Sequence, residues 1–325
     1  MQGPRREHVV VTGAAGFIGS HLAEALLDLG HDVVGIDAFT EHYPSSDKWS
    51  NLSRPLARSG FELHRLDLAT ADIGSLLTGA KAVFHQAAQP GVRTSFGPGF
   101  AGYLHHNVLG TQRLLEACFR AEVPRLIFAS SSSVYGDAPS YPTTEESRTR
   151  PVSPYGVTKL AAEHLCQAYA QPTMSSMTLA ILRYFTVYGP RQRPDMGFRR
   201  FIEAALASRP VVVYGDGEQT RDFTFVDDVV RANLLAMTAP VEGEAINIGG
   251  GARVSLNEAL DLVGEATGRR LRIDRRPALP GDARHTAADG TRGEALLGYR
   301  PETDLTTGLA AQVAWMWKRR RAATG

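Results

Sequence analysis

The sequence predicts an α/β fold: a doubly wound parallel sheet with helices on both faces, followed by a smaller C-terminal lobe. Three observations carry this. Short β-rich runs alternate with longer helical ones through about residue 185, the pattern that builds a parallel sheet covered on both sides. A glycine-rich turn joins the first strand to the first helix. After Gly189 the alternation gives way to Pro- and Gly-bearing loops. At roughly 100–200 residues per domain, 325 residues suffice for two lobes.

In order, Val9–Val11, Asp32–Ile36, Phe61–Leu66, Ala82–Gln86, Arg125–Ala129 and Leu179–Arg183 are apolar and β-branched enough to be buried strands. Between them, Ile18–Leu29, Asn107–Ala121 and Tyr155–Tyr169 space their apolar residues as helices do. Beyond Gly189, a Pro/Arg-rich loop (Pro190–Gly197) leads to a helix at Phe198–Ser208, a strand at Val211–Tyr214 and a polar loop at Gly215–Asp222. A helix at Asp227–Met237, a strand at Ala245–Ile248 and a helix at Leu256–Thr267 follow. The basic run Lys318–Arg321 is expected to be a solvated end.

Composition excludes several classes. Hydrophobic residues at 43% and charged residues at 21% are ordinary for a globular chain, which rules out a disordered or fibrous one. With 35 basic against 34 acidic residues there is no broad basic field for nucleic acid or an acidic membrane. Only Lys48, Lys81, Lys159 and Lys318 are lysines, so each merits attention. Cys118 and Cys166 lie in apolar helical stretches without a neighbouring thiol or histidine at ligand spacing; they are expected as buried hydrophobes, and no metal is expected. No leader-like stretch and no run of about 18 apolar residues is present, so a cytoplasmic location is expected.

The glycine turn is Thr12-Gly13-Ala14-Ala15-Gly16-Phe17-Ile18-Gly19. Gly13 permits the tight turn, Gly16 lets a pyrophosphate approach the backbone, and Gly19 lets helix and strand pack closely. Phosphates then meet the N–H groups and positive dipole end of the helix, the arrangement of a Rossmann-type dinucleotide site. Asp37, ending the second strand, is placed to accept from a ribose 2′-OH and repel a 2′-phosphate, and no arginine follows at Ala38 or Phe39, which favours NAD. Asp67 and Leu68 after the third strand fit the adenine side, and the small Gln86-Ala87-Ala88 the nicotinamide half.

Tyr155-Gly156-Val157-Thr158-Lys159 puts a phenol and an ammonium on one helix face. An ammonium nearby favours the phenolate and lowers the phenol from about 10. Ser130-Ser131-Ser132-Ser133, directly after an apolar strand, offers a hydroxyl to share the substrate proton with Tyr155.

With these motifs the chain resembles the extended short-chain dehydrogenase/reductase family, the NAD-dependent epimerases and dehydratases, from Thr12 to about Asp289. The resemblance implies NAD as cofactor, held by Gly13, Gly16, Phe17, Ile18, Gly19, Asp37, Asp67, Leu68, Gln86, Ala87, Ala88, Asn107, Tyr155 and Lys159. It implies Tyr155 as base, Ser131 assisting, and Lys159 tuning the phenol and binding ribose. Gln89-Pro90-Gly91-Val92-Arg93-Thr94-Ser95 and the long run Arg183 to Met196 are most similar to the UDP-glucuronate 4-epimerases. By that likeness Tyr214 packs on uracil, Arg221 holds the diphosphate, Asp282 contacts the uridine ribose, and Ser132, Thr186, Arg93 and Arg193 serve the sugar end. Leu279 stands where UDP-glucose epimerases often have an arginine.

The resemblance also implies a division of labour. Residues 1–185, with a return around 225–249, would bind NAD, and 186–325 mainly the sugar nucleotide. A homodimer is expected, paired through Asn107–Ala121 and Tyr155–Tyr169, with Leu104, Leu115, Leu160 and Leu165 as candidate contacts. The implied reaction is epimerisation of UDP-glucuronate at C4 without loss of CO₂. Dehydratases and decarboxylases of the family carry an acid just before Val-Tyr-Gly, where this chain has Ser133. A neutral UDP-sugar 4-epimerase shares every catalytic residue, and a non-catalytic NAD-sensing protein would not need Ser131, Tyr155 and Lys159 together.

Overall fold

The computed structural model describes residues 7–277 and 283–324. Seven parallel strands form the central sheet: β1 (His8–Thr12), β2 (Asp32–Asp37), β3 (Phe61–Arg65), β4 (Ala80–His85), β5 (Arg125–Ser131), β6 (Thr178–Tyr184) and, after an excursion, a late strand at Ala245–Ile248. Their spatial order is β3-β2-β1-β4-β5-β6 and then the late strand. The direction of winding reverses between β1 and β4, whose registers pair Val9 with Val33 on one side and Ala82 on the other. Open α/β sheets bind ligands in the crevice at the carboxyl ends of strands flanking such a reversal.

β1 alternates its side chains between two cores, as a strand must. Val9 and Val11 join Leu22, Leu26, Val229 and Phe84 on one face. Val10 joins Val83, Leu114, Leu115, Cys118 and Cys166 on the other. Both cysteines are therefore the buried hydrophobes their surroundings implied. Because both faces are covered, the strands read as near-continuous apolar runs.

Two small sheets carry the remaining chain. β7 (Thr186–Tyr188) pairs in parallel with β9 (Thr220–Phe225), which pairs antiparallel with Arg253–Ser255. β8 (Val211–Tyr214) pairs in parallel with Ile273–Arg276. The polar loop expected over Gly215–Asp222 thus ends at Gln219, because β9 finds partners along both edges. The helix expected from Asn107 is a composite: helical Phe100–Tyr103, a π-helical turn at Leu104–Leu109, then Gly110–Arg120.

Helices Thr291–Leu297 and Leu305–Thr324 close the chain. The run Lys318–Arg321 lies on the last of them and is anchored rather than merely solvated. Arg319 pairs with Asp47, and Arg320 Nη1 donates to the Leu206 carbonyl at 2.7 Å. Among the described residues no helix is long and apolar enough to cross a membrane.

Candidate active site

The first cavity opens at the carboxyl ends of β1, β2 and β4. Gly13, Gly16 to Gly19, Asp37, Asp67, Leu68 and Gln86 to Pro90 line it, and Tyr155, Lys159, Tyr184 and Arg193 close its inner end. A Cβ on Gly13 would stand 2.8 Å from the Ala87 backbone, and one on Gly19 2.1 Å from the Gly13 carbonyl. The turn is therefore possible only with glycine, and Gly13 also has φ +69°. Helix Phe17–Asp28 starts at Gly16 with no side-chain cap, leaving its first turn directed at the cleft by backbone alone.

Asp37 is held by backbone donors. Its Oδ2 accepts from Ala15 N at 3.1 Å and its Oδ1 from Phe39 N at 2.7 Å. Lys48 Nζ lies 3.5 Å from Asp37 Oδ1 and is itself buried. Beneath the turn, His85 bridges Thr12 Oγ1 at 2.7 Å and Thr111 Oγ1 at 2.9 Å. Burial, with Lys159's charge, pushes that imidazole down to about 3, so it is neutral. The Gln86 amide nitrogen donates to Tyr184 Oη at 3.1 Å and Asn233 Oδ1 at 2.9 Å, which fixes the strand end.

Asn107 departs from expectation. It is 1% exposed, accepts from Gln89 N at 2.7 Å, and donates to Gln89 O at 3.1 Å and Thr158 Oγ1 at 3.0 Å. Both ends of its amide are spent clamping the loop after β4 to the helix bearing Tyr155, so it supports the cleft from behind and does not line it.

Helix Pro154–Tyr169 begins on Ser153, whose Oγ accepts from Gly156 N at 3.1 Å. Tyr155 therefore projects from the first turn and Lys159 from the next. Burial raises the Tyr155 phenol above its ordinary value; the nearby Ser131 hydroxyl and the charge of Arg193 oppose this. The expected lowering by Lys159 is not the governing influence. Its ammonium sits 4.4 Å over the Phe128 ring, and burial brings its own pKa down to about 8, with Cys166 and Glu163 opposing. Ser131 Oγ also donates to Ser133 Oγ at 3.1 Å. One residue earlier, Ser130 Oγ donates to Glu163, whose carboxylate pairs with Arg183 at 2.7 Å in the core.

A second cavity continues past the serines. Arg93, Ser132, Ser133, Thr186, Tyr214 and Arg221 line it. Arg93 lies 5.0 Å over the Tyr214 ring, and Arg221 Nη1 donates to the Thr220 and Arg284 carbonyls at 2.9 and 3.1 Å. Arg193 belongs to the first cavity, beside Tyr155, with its fork on Asp195 at 3.1 and 3.0 Å. Asp282 and Leu279 lie outside the described residues.

Residues 9–249 match the NAD dependent epimerase/dehydratase family, well over half of the chain. The chain belongs to this family. Among its relatives is an uncharacterized UDP-glucose epimerase, YtcB, of Bacillus subtilis, 44% identical over 95% of this chain and 97% of that protein. The UDP-glucuronic acid 4-epimerase of Bacillus cereus, solved with UDP-glucuronic acid and NAD, superposes with a TM-score of 0.92 at 42% identity, covering 96% of this chain and 99% of the other. MoeE5, solved with UDP-glucose and NAD and also with UDP-glucuronic acid and NAD, superposes with a TM-score of 0.87 at 44% identity, covering 96% and 99%.

As a family member the protein uses NAD. The residues present fit that cofactor: the glycine turn leaves no room for side chains where a pyrophosphate must pass, and a carboxylate ends β2. Sequence reasoning missed several cleft residues of this epimerase-family protein. Lys48 and Tyr184 line the cleft, and Asn233 bonds the Tyr184 hydroxyl from 49 positions away. Lys48 was visible as a scarce residue type, but nothing in its spacing tied it to Asp37.

Proposed function

We propose that the protein is an NAD-dependent UDP-sugar 4-epimerase acting on UDP-glucuronate to give UDP-galacturonate without decarboxylation. The observation that carries this is the guanidinium of Arg193 lining the same cavity as the Tyr155 phenol, close enough for its charge to act on that phenol. A base beside a carboxylate-binding fork suits a uronate. Bound NAD supplies the acceptor that takes the C4 hydride and gives it back.

Tyr155 takes the C4 hydroxyl proton, and Ser131, close enough to favour the phenolate of Tyr155, would hold that oxygen in line. Lys159 would place its ammonium on the nicotinamide ribose. The glycine turn and helix N-terminus would hold the pyrophosphate, with Asp37 on the adenosine ribose, Asp67 and Leu68 at adenine, and Gln86, Ala87 and Ala88 along the nicotinamide. In the second cavity Tyr214 would stack on uracil with Arg93 over its ring, and Arg221 would meet the diphosphate. On this reading residues 1–185 with the return at 225–249 serve NAD, and 186–325 mainly the sugar nucleotide.

The 4-keto intermediate is a β-keto acid and loses CO₂ readily when the carboxylate bond stands perpendicular to the ketone plane. Thr186 and Arg193 would hold the carboxylate away from that orientation while the ring turns over. Ser133, where an acid would stand in a decarboxylase, gives such loss no help. The neutral-sugar alternative has its own observation: Arg193 is already neutralised by Asp195, so the site can present no net charge to UDP-glucose. Mass spectrometry and NMR of the product from UDP-glucuronate decide. An isomer of unchanged mass with an inverted C4 is expected; a product lighter by CO₂, or turnover of UDP-glucose alone, overturns the assignment.

Assembly belongs to the same reading: a cytoplasmic homodimer. Leu104 at 44%, Leu109 at 42% and Val157 at 49% exposure make an apolar face on the two helical segments expected to pair. Leu115 is instead fully buried, so it is removed from the expected contacts, whereas Leu160 and Leu165 are half-buried and stay among them. Light scattering at micromolar concentration should give twice the chain mass, and a monomer would refute it.

A further inference from the structure

Asp67, His105 and His106 bring three donor atoms within 4.8 Å of one another at the rim of the cofactor cleft. His105 Nε2 lies 2.8 Å from Asp67 Oδ2, and His106 Nδ1 lies 3.9 Å from Asp67 Oδ1. The two rings stand 4.8 Å apart and nearly perpendicular at 89°, so they do not stack. All three side chains are partly exposed, between 24% and 37%, which leaves a hydrated ion a way in. Donors around a tetrahedral ion at about 2.0–2.1 Å are separated by roughly 3.4 Å. The two spacings to Asp67 fall on either side of that value and the histidine nitrogens lie within 4.8 Å of one another, so side-chain rotations would close the set.

We propose that this cluster binds one borderline divalent cation of the zinc class, and that the ion and NAD exclude one another. Two imidazoles and one carboxylate favour zinc, nickel or copper over magnesium or calcium. Water would complete the coordination, as in open three-ligand sites. Exclusion follows from position: Asp67 and His106 line the cofactor cavity, so an ion held between them with its coordinated waters would stand in the space that adenine needs beside Asp67. This second half rests on the reading of Asp67 as an adenine contact; the first half does not. The cluster is thus a route by which a zinc-class ion displaces cofactor rather than assists catalysis.

The test uses the whole chain with any affinity tag removed, titrated with Co²⁺ and followed by its visible d–d absorption, then back-titrated with Zn²⁺. Binding of one equivalent is expected, weakened at least about tenfold by His105→Ala or His106→Ala, with circular dichroism confirming the fold. Saturating NAD should weaken Co²⁺ by some factor, and Zn²⁺ should weaken NAD by that same factor, since linkage is reciprocal. No binding, or equal binding by the variant carrying both His105→Ala and His106→Ala, overturns the site. Equal binding with and without NAD overturns the exclusion and leaves the metal site and the adenine reading of Asp67 to stand on their own.

Discussion

Tyr155 starts from an unfavourable position for a base, because burial lifts its phenol and Ser131 and Arg193 only oppose that lift. The proton it takes must therefore be paid back by neighbours that favour the phenolate, and no other phenol lies on the same helix turn. Tyr155→Phe should keep fold and bound NAD but lose about 10²–10⁴-fold in turnover, the usual worth of a positioned acid–base group. Coupled product assay and the absorbance of released NAD check both halves; parental turnover would remove Tyr155 from its role. Arg193 is the second decisive residue. Burial raises the Asp195 carboxyl, but the His42 ring 3.7 Å away and the charge and fork of Arg193 outweigh this and hold it well below the usual range. A uronate must then compete with Asp195 for the fork. Arg193→Ala should weaken UDP-glucuronate by roughly 2–5 kcal/mol, the cost of stranding a charge partner, and UDP-glucose far less. Calorimetry with both nucleotides reads the difference, and equal losses would separate Arg193 from the carboxylate.

At the scale of elements, legibility followed local period and length. The central strands could be read because burial on both faces makes them continuously apolar, and Tyr155 with Lys159 because four positions make about one helical turn. The strands at Thr186–Tyr188, Arg253–Ser255 and Ile273–Arg276 span three or four residues. They owe their pairing to tertiary partners rather than to any pattern of their own. The short helix Ser45–Asn51 was invisible for the same reason, yet it carries Lys48 to Asp37. It is held in turn from far along the chain. Buried Asp47 pairs with Arg199 at 2.7 Å, and Arg319 of the last helix also reaches it. Contacts over 152 and 272 positions leave no local signature. Asp47→Asn strands Arg199 with an uncompensated buried charge. The expected cost is about 3 kcal/mol or somewhat more, with weaker NAD binding as Lys48 loses its support. Thermal unfolding and NAD titration measure the two effects; unchanged values for both would make the anchor incidental.

Neutral, buried imidazoles tie sequence-distant elements of the molecule together, which makes its stability depend on acid. His85 ties β1 and β4 to the helix at Gly110–Arg120, and burial with Lys159's charge brings it down to about 3. His21, on the first helix, bonds the Pro190 carbonyl at 3.0 Å, and burial with the charge of Arg191 brings it down to about 4. In the unfolded chain both titrate near 6.5. Above that value both states hold the imidazoles neutral, and the stability they contribute is fully present. As pH falls below about 6.5 the unfolded chain takes up protons that the folded one refuses, so stability is lost down to about 4 for His21 and about 3 for His85. Each imidazole steepens the acid limb by up to about 1.4 kcal/mol per pH unit. Carboxylates held low in the folded state add to the same limb, so the assignment needs a variant. His85→Gln keeps an amide between Thr12 and Thr111 but nothing that titrates there. Its melting temperature should be lower than the parent's at pH 7.5 and should fall less steeply between pH 6.5 and 4. Parallel slopes for parent and variant would show that His85 is not a source of the acid sensitivity.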